Sequence, residues 1–125
     1  MKKIATDKAP SAIGPYSQAI VHGDLVYTSG QIAIVPEIGD ICAADVAGQT
    51  EQVMKNLTEV LLAAGSSPEL VIKTTCFLKN IADFAVFNEI YGKYMAHKPA
   101  RSCVEAAALP KGALVEVEAI AVIKK

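Results

Sequence analysis

The sequence has no tryptophan, two histidines, three cysteines and a single arginine, Arg101. It also has no lysine-rich run, and its formal net charge is −1. Phosphate-backbone binding needs a basic patch or stripe, so this balance argues against nucleic acid as a main partner. Cys42, Cys76 and Cys103 lie far apart, with no CxxC pair, and the histidines are only His22 and His97. That spacing argues against a zinc site or any other metal centre. Unpaired, scattered thiols suit a reducing compartment. No apolar run approaches the roughly 20 residues of a membrane span. Met1-Lys2-Lys3 leads to Asp7 and Pro10, not to an apolar signal core. The expectation is a soluble, cytoplasmic protein with no membrane partner.

What is present is apolar. Of 125 residues, 52% are hydrophobic and 20% charged, where soluble domains carry about 25% charged residues. The length suits one domain over residues 1–125 with one core. The apolar excess requires either a sheet covered on both faces or association of subunits.

Ordered along the chain, residues 1–15 carry Pro10, Gly14 and Pro15 and read as irregular or edge-like. Ser17–Val21 and Leu25–Ser29 read as strands around the turn His22-Gly23-Asp24. Gly30 interrupts the second, and Gln31–Val35 extends it. Asp45 is the N-cap of a helix to about Ala64, with Val46, Val53, Leu57, Val60, Leu61 and Ala64 on one stripe and Gln49, Gln52 and Lys55 off it. Val71–Leu78 is a strand. A second helix runs to about Met95, its core stripe being Phe84, Phe87, Tyr91 and Tyr94. Ser102–Ala107 and Val115–Ile123 are the last strands, separated by the turn Leu109-Pro110-Lys111-Gly112. The order β-β-α-β-α-β-β predicts an α+β fold, two helices on one face of a sheet. Both faces of the last strand are apolar near its end, so the uncovered face is expected to meet another subunit.

Arg101 stands beside Pro99-Ala100 at the head of an apolar strand. A guanidinium is a rigid, permanently charged fork that grips a carboxylate or phosphate through two parallel hydrogen bonds. Residue type alone leaves two readings, a structural ion pair with a glutamate or a hold on a ligand.

Taken together, Gly14-Pro15-Tyr16-Ser17-Gln18-Ala19, Ser29-Gly30-Gln31-Ile32, Pro99-Ala100-Arg101-Ser102-Cys103-Val104 and Leu109-Pro110-Lys111-Gly112, with Val115-Glu116-Val117-Glu118-Ala119 after it, resemble the RidA/YjgF family of reactive-intermediate deaminases. The resemblance runs from Ile4 to Val122. It implies a homotrimer of chorismate-mutase-like fold with three active sites in clefts between subunits. It implies hydrolysis of 2-imino acids such as 2-iminobutanoate and 2-iminopropanoate to 2-oxo acids and ammonia, without cofactor or metal. It further implies a link to the pyridoxal-phosphate-dependent threonine and serine dehydratases that release such imines, and so to isoleucine biosynthesis. The family's site residues match here as Tyr16, Ser29, Gly30, Asn88, Arg101, Cys103 and Glu116. The segment Tyr94–Lys98 is shorter than its family counterpart, which implies a different cleft rim.

The residue types suit that chemistry. Arg101 would hold the substrate carboxylate in the plane of the imine. Gly30 would let a ligand approach its backbone N–H. Glu116 would orient or deprotonate the attacking water, a carbonyl near Cys103 would accept from the imine N–H, and Tyr16 would close over the ligand. Plainer roles exist for each: packing for Tyr16, a strand end for Ser29, a surface position for Asn88, a small buried hydrophobe for Cys103. Two other functions compete, a trimer that only binds a small carboxylate and a ribonuclease or translation inhibitor. An antiparallel hairpin of the last two strands would put Arg101 opposite Val122, about six residues or roughly 20 Å from Glu116. A site using both would then draw them from different chains.

Overall fold

Strict alternation of burial marks the central strand. In Val115–Val122, Val115, Val117, Ala119 and Ala121 are buried while Glu116, Glu118, Ile120 and Val122 are partly exposed. The computed structural model describes residues 1–125. It holds a six-stranded sheet and a separate two-stranded ribbon. The strands are β1 (Lys2–Ile4), β2 (Ala19–His22), β3 (Leu25–Thr28), β4 (Ile34–Val35), β5 (Asp40–Ile41), β6 (Val71–Leu78), β7 (Ala100–Glu105) and β8 (Val115–Val122). The large sheet runs β1-β2-β3-β8-β6-β7, and β4 pairs with β5 alone. Every pairing is antiparallel except β6 with β7.

Two helices, α1 (Val46–Ala63) and α2 (Phe84–Tyr94), make the connections that this topology demands. A parallel pair cannot be joined by a tight turn. Accordingly α2 carries the chain from β6 to its parallel neighbour β7. Helix α1 carries it from β3 to β6, and β8 later fills the gap between those two strands. Asp45 caps α1, its carboxylate accepting from the Gly48 N–H at 2.8 Å. Val53, Leu57, Val60 and Leu61 of α1 are fully buried against the sheet, each stabilising by about 1.5–3 kcal/mol. The α+β architecture and the placing of the two helices follow the sequence pattern, with β1, β4 and β5 added to the five expected strands.

Four expectations are corrected. The last two strands form no hairpin: β7 lies on the far side of β6 from β8, because the segment after β7 crosses over before β8 begins. Gln31–Val35 does not extend β3. Gln31 makes an isolated bridge to Val117, and the chain then leaves for the β4–β5 ribbon. Gln49 is buried, because its amide serves the Ala43 carbonyl and the Leu114 N–H. Phe84 leaves the core, with 38% of its surface exposed, while Phe87 and Tyr91 stay in it.

Candidate active site

Arg101 sits on the edge strand β7, in register with Thr74 of β6. Thr74 faces the helices, its hydroxyl 2.7 Å from the Tyr91 hydroxyl, so Arg101 also lies on the helix side. There α2 builds a holder from one stripe. Phe84, Asn88 and Tyr91 recur at helical spacing. The guanidinium carbon lies 5.2 Å from the Phe84 ring centre and 4.9 Å from that of Tyr91. Nη1 donates to the Asn88 side-chain oxygen at 2.7 Å. The chain's two ion pairs, Lys111–Asp40 and Lys125–Asp24, leave Arg101 without a carboxylate. The structural ion pair is therefore absent, and Arg101 borders a cavity of about 550 Å³ together with Asn88, Tyr91, Met95, Lys98 and Pro99.

The backbone of β7 adds to this corner. Ala106 donates to the Leu78 carbonyl at 2.8 Å. Strand alternation then turns the N–H and C=O groups of Arg101 and Cys103 to the unpaired edge of the sheet. Cys103 is in register with Cys76 and partly buried against the core. Burial raises its thiol pKa, only partly opposed by Arg101. Burial pushes Cys76 up to about 12. Neither thiol is disposed to act as a thiolate nucleophile.

Glu116 belongs to a second cluster. Its register partner is Phe77, whose neighbours Cys76 and Leu78 face the helices, so Glu116 points from the opposite, open face. It carries no ion pair or side-chain hydrogen bond, and its pKa is raised by burial and then by Glu118. Gly30 lies against it: a Cβ there would overlap Oε2 and stand 2.7 Å from the carboxyl carbon. Both residues border a cavity of about 290 Å³ together with Tyr16, Gln31, Ile32 and Lys111. Tyr16 is 53% exposed at its mouth. Ser29 is adjacent in sequence, but its hydroxyl donates to the Ser17 carbonyl at 2.6 Å, pinning the strand end.

The seven expected residues thus form two groups. Asn88, Arg101 and Cys103 gather on the helix side of the sheet edge. Tyr16, Gly30 and Glu116 gather on the open face, with Ser29 beside them. In register terms, Arg101 is level with Ala119 and Glu116 with Phe77. That offset is three residues along and two strands across, about 10 Å in each direction, with the sheet itself between them. One chain does not bring these two side chains together.

Two groups at these sites are not singled out by the sequence pattern. Phe84 and Tyr91 were assigned to packing, although their spacing with Asn88 was visible. Lys111 was read as a turn residue. It is one of two non-glycine residues with positive φ, at 58°, and it lines the Glu116 cavity.

Comparison with known proteins identifies the family of the chain. Residues 6–123 match the family model described as endoribonuclease L-PSP. A Lactococcus lactis protein provisionally named a regulator, AldR, is 54% identical over 125 residues, covering 99% of both chains. The human 2-iminobutanoate/2-iminopropanoate deaminase is 47% identical over 120 residues, 95% of this chain and 88% of that one. The crystal structure of E. coli TdcF with bound serine superposes with a TM-score of 0.93 at 43% identity, covering 99% of this chain and 100% of the other. With a family model spanning nearly the whole chain and relatives of this similarity, the chain belongs to the endoribonuclease L-PSP family, the RidA/YjgF family that its motifs resemble.

Proposed function

We propose that this protein hydrolyses small 2-imino acids, 2-iminobutanoate and 2-iminopropanoate among them, to 2-oxo acids and ammonia. The site would be completed between two copies of the chain in a homotrimer. One observation carries this reading. An arginine fork with no carboxylate of its own and a half-buried, unpaired glutamate lie on opposite faces of one sheet. Each is half of a site for a carboxylate-bearing electrophile.

In the assembled site, Arg101 takes the substrate carboxylate, and the Phe84 and Tyr91 rings keep the fork from swinging. The Gly30 N–H from the neighbouring copy supports the same end. The outward Cys103 carbonyl accepts from the imine N–H and favours the N-protonated iminium, whose carbon is more electrophilic. Glu116 removes a proton from water as the oxygen bonds to that carbon. It returns that proton to the carbinolamine nitrogen and then takes the hydroxyl proton, so that the C=O of the 2-oxo acid forms as the C–N bond breaks and ammonia leaves. A pKa raised by burial suits a carboxylate that both accepts and returns a proton.

A second reading is kept because two relatives favour it. One is provisionally named a regulator, and one was crystallised with serine bound. A trimer that only binds a small amino or oxo acid would need Arg101 but not Glu116. The acidic charge balance gives no support to ribonuclease activity. The deciding experiment measures ammonia and 2-oxo acid release while a threonine dehydratase generates the imine. Faster release with this protein supports hydrolysis. An unchanged rate, with 2-oxobutanoate still bound, supports the binding reading.

A further inference from the structure

Asn56 is a polar residue in the buried face of α1, with 1% of its surface exposed. Such a residue is costly unless its hydrogen bonds are satisfied. Asn56 satisfies them on the loop that leaves β3. Its Nδ2 donates to the Ile32 carbonyl at 3.1 Å and to the Ile34 carbonyl at 2.8 Å. Its Oδ1 accepts from Gln52 Nε2 at 2.9 Å, which fixes the orientation of the amide.

Those two carbonyls belong to the Gln31–Val35 strap. The strap is tied to the main sheet only through Gln31, whose N–H donates to Val117 at 2.9 Å and whose carbonyl accepts from Val117 at 3.1 Å. Beyond that bridge its pairing is the two-residue β4–β5 ribbon. Ile32 and Ile34 line the same cavity as Gly30 and Glu116. A leucine at position 56 would bury apolar surface but leave both carbonyls without these donors.

We propose that Asn56 is a positioning residue: its amide anchors the Gln31–Val35 strap to α1 and so sets the apolar wall of the Glu116 cavity. This rests on the reading of that cavity as part of the substrate site. Asn56 touches no reacting atom. It acts through Ile32 and Ile34, so its loss loosens the ligand's surroundings and leaves Arg101 and Glu116 in place. Binding should suffer and turnover should not.

The test compares wild type, Asn56→Asp and Val60→Ala. Asn56→Asp keeps the shape and removes both donors. Val60→Ala weakens the same helix's core contact away from the strap. Two quantities are read: hydrogen exchange of residues 31–35, and KM against kcat for 2-iminobutanoate generated in situ at graded concentrations. In Asn56→Asp, strap exchange should accelerate about tenfold while core β8 amides stay within about twofold. KM should rise about fivefold with kcat nearly unchanged. Val60→Ala should move neither KM nor strap exchange. Wild-type strap exchange in a folded Asn56→Asp overturns the proposal. So does a loss confined to kcat, which is what a smaller folded fraction produces. If Asn56→Asp does not fold, Gln52→Ala frees the amide to rotate, and a smaller shift of about threefold in both readouts is required. If wild type shows no hydrolysis, the reading of the site fails by itself, and strap exchange alone upholds or overturns the role of Asn56.

Discussion

The two halves of the proposed site are built on different physical plans. At the Arg101 corner the functional group is held. Two aromatic rings flank the guanidinium, the Asn88 side-chain oxygen accepts a hydrogen bond from it, and Tyr91 is itself fixed to Thr74. At the Glu116 cavity the functional group is left free. Its carboxylate has no partner, a glycine lies against it, and burial raises its pKa. A group that must recognise a fixed charge gains from rigidity. A group that must change protonation gains from an environment in which neither form is strongly bound. The contrast predicts that substitution of the held Arg101 acts on binding, and that changes touching the Glu116 carboxylate itself act on turnover and on pH.

Gly30→Ala probes the second half most sharply. The new methyl would occupy the carboxylate's place, and a displacement of about 1 Å at a reacting group costs on the order of 100-fold in rate. Steady-state kinetics should show that loss in kcat, with 2-oxobutanoate still binding through Arg101. Lost binding with normal turnover would reverse the assignment of the two halves.

Arg101→Lys probes the first half. The charge stays but the planar fork and its stacking go. Losing a charge-assisted bond of about 1.5–3 kcal/mol should reduce kcat/KM by about tenfold or more. Wild-type rates in the lysine variant would remove the carboxylate clamp from the account.

Glu116 makes a pH statement that Arg101 does not. As a base it must be ionised, so kcat/KM should fall as pH drops through its raised pKa, above the usual carboxylate range. For stability the sign is opposite. The folded state favours the protonated form, so this contribution is complete below the ordinary glutamate pKa of about 4.3 and is lost as pH rises through the raised folded value. Glu116→Gln should therefore raise the melting temperature at pH 7 and leave it nearly unchanged below pH 4. An equal gain at both pH values would point to packing instead of charge.

Much of this arrangement was legible in the chain. The stripe on α1, the alternation in β8 and the run Val71–Leu78 each write their element locally, and Arg101 drew notice as the lone arginine. What was not legible is pairing between distant strands. Nothing within Ser102–Ala107 says that its partner is β6 in parallel and not β8 in a hairpin. That choice depends on a crossover helix and on which sheet position is still vacant when the chain arrives. The separation of Arg101 from Glu116 was therefore expected for the wrong reason, distance along a hairpin. The sheet between them achieves it instead. Phe84 was misplaced for a related reason: helical spacing shows that it shares a stripe with Tyr91, but not that this end of the stripe meets an arginine at an open edge.

The central claim is that two copies of the chain complete one site, and mixing two inactive variants tests it most directly. Arg101→Ala and Glu116→Ala should each be nearly inactive as pure assemblies. Refolded together in equal amounts, the chains mix at random. A site is intact when its arginine comes from the Glu116 variant and its glutamate from the Arg101 variant, about one site in four for a closed ring with heterologous interfaces. Imine hydrolysis should return to about a quarter of the wild-type rate. No recovery, with native mass spectrometry confirming mixed assemblies, would contradict a site shared between copies.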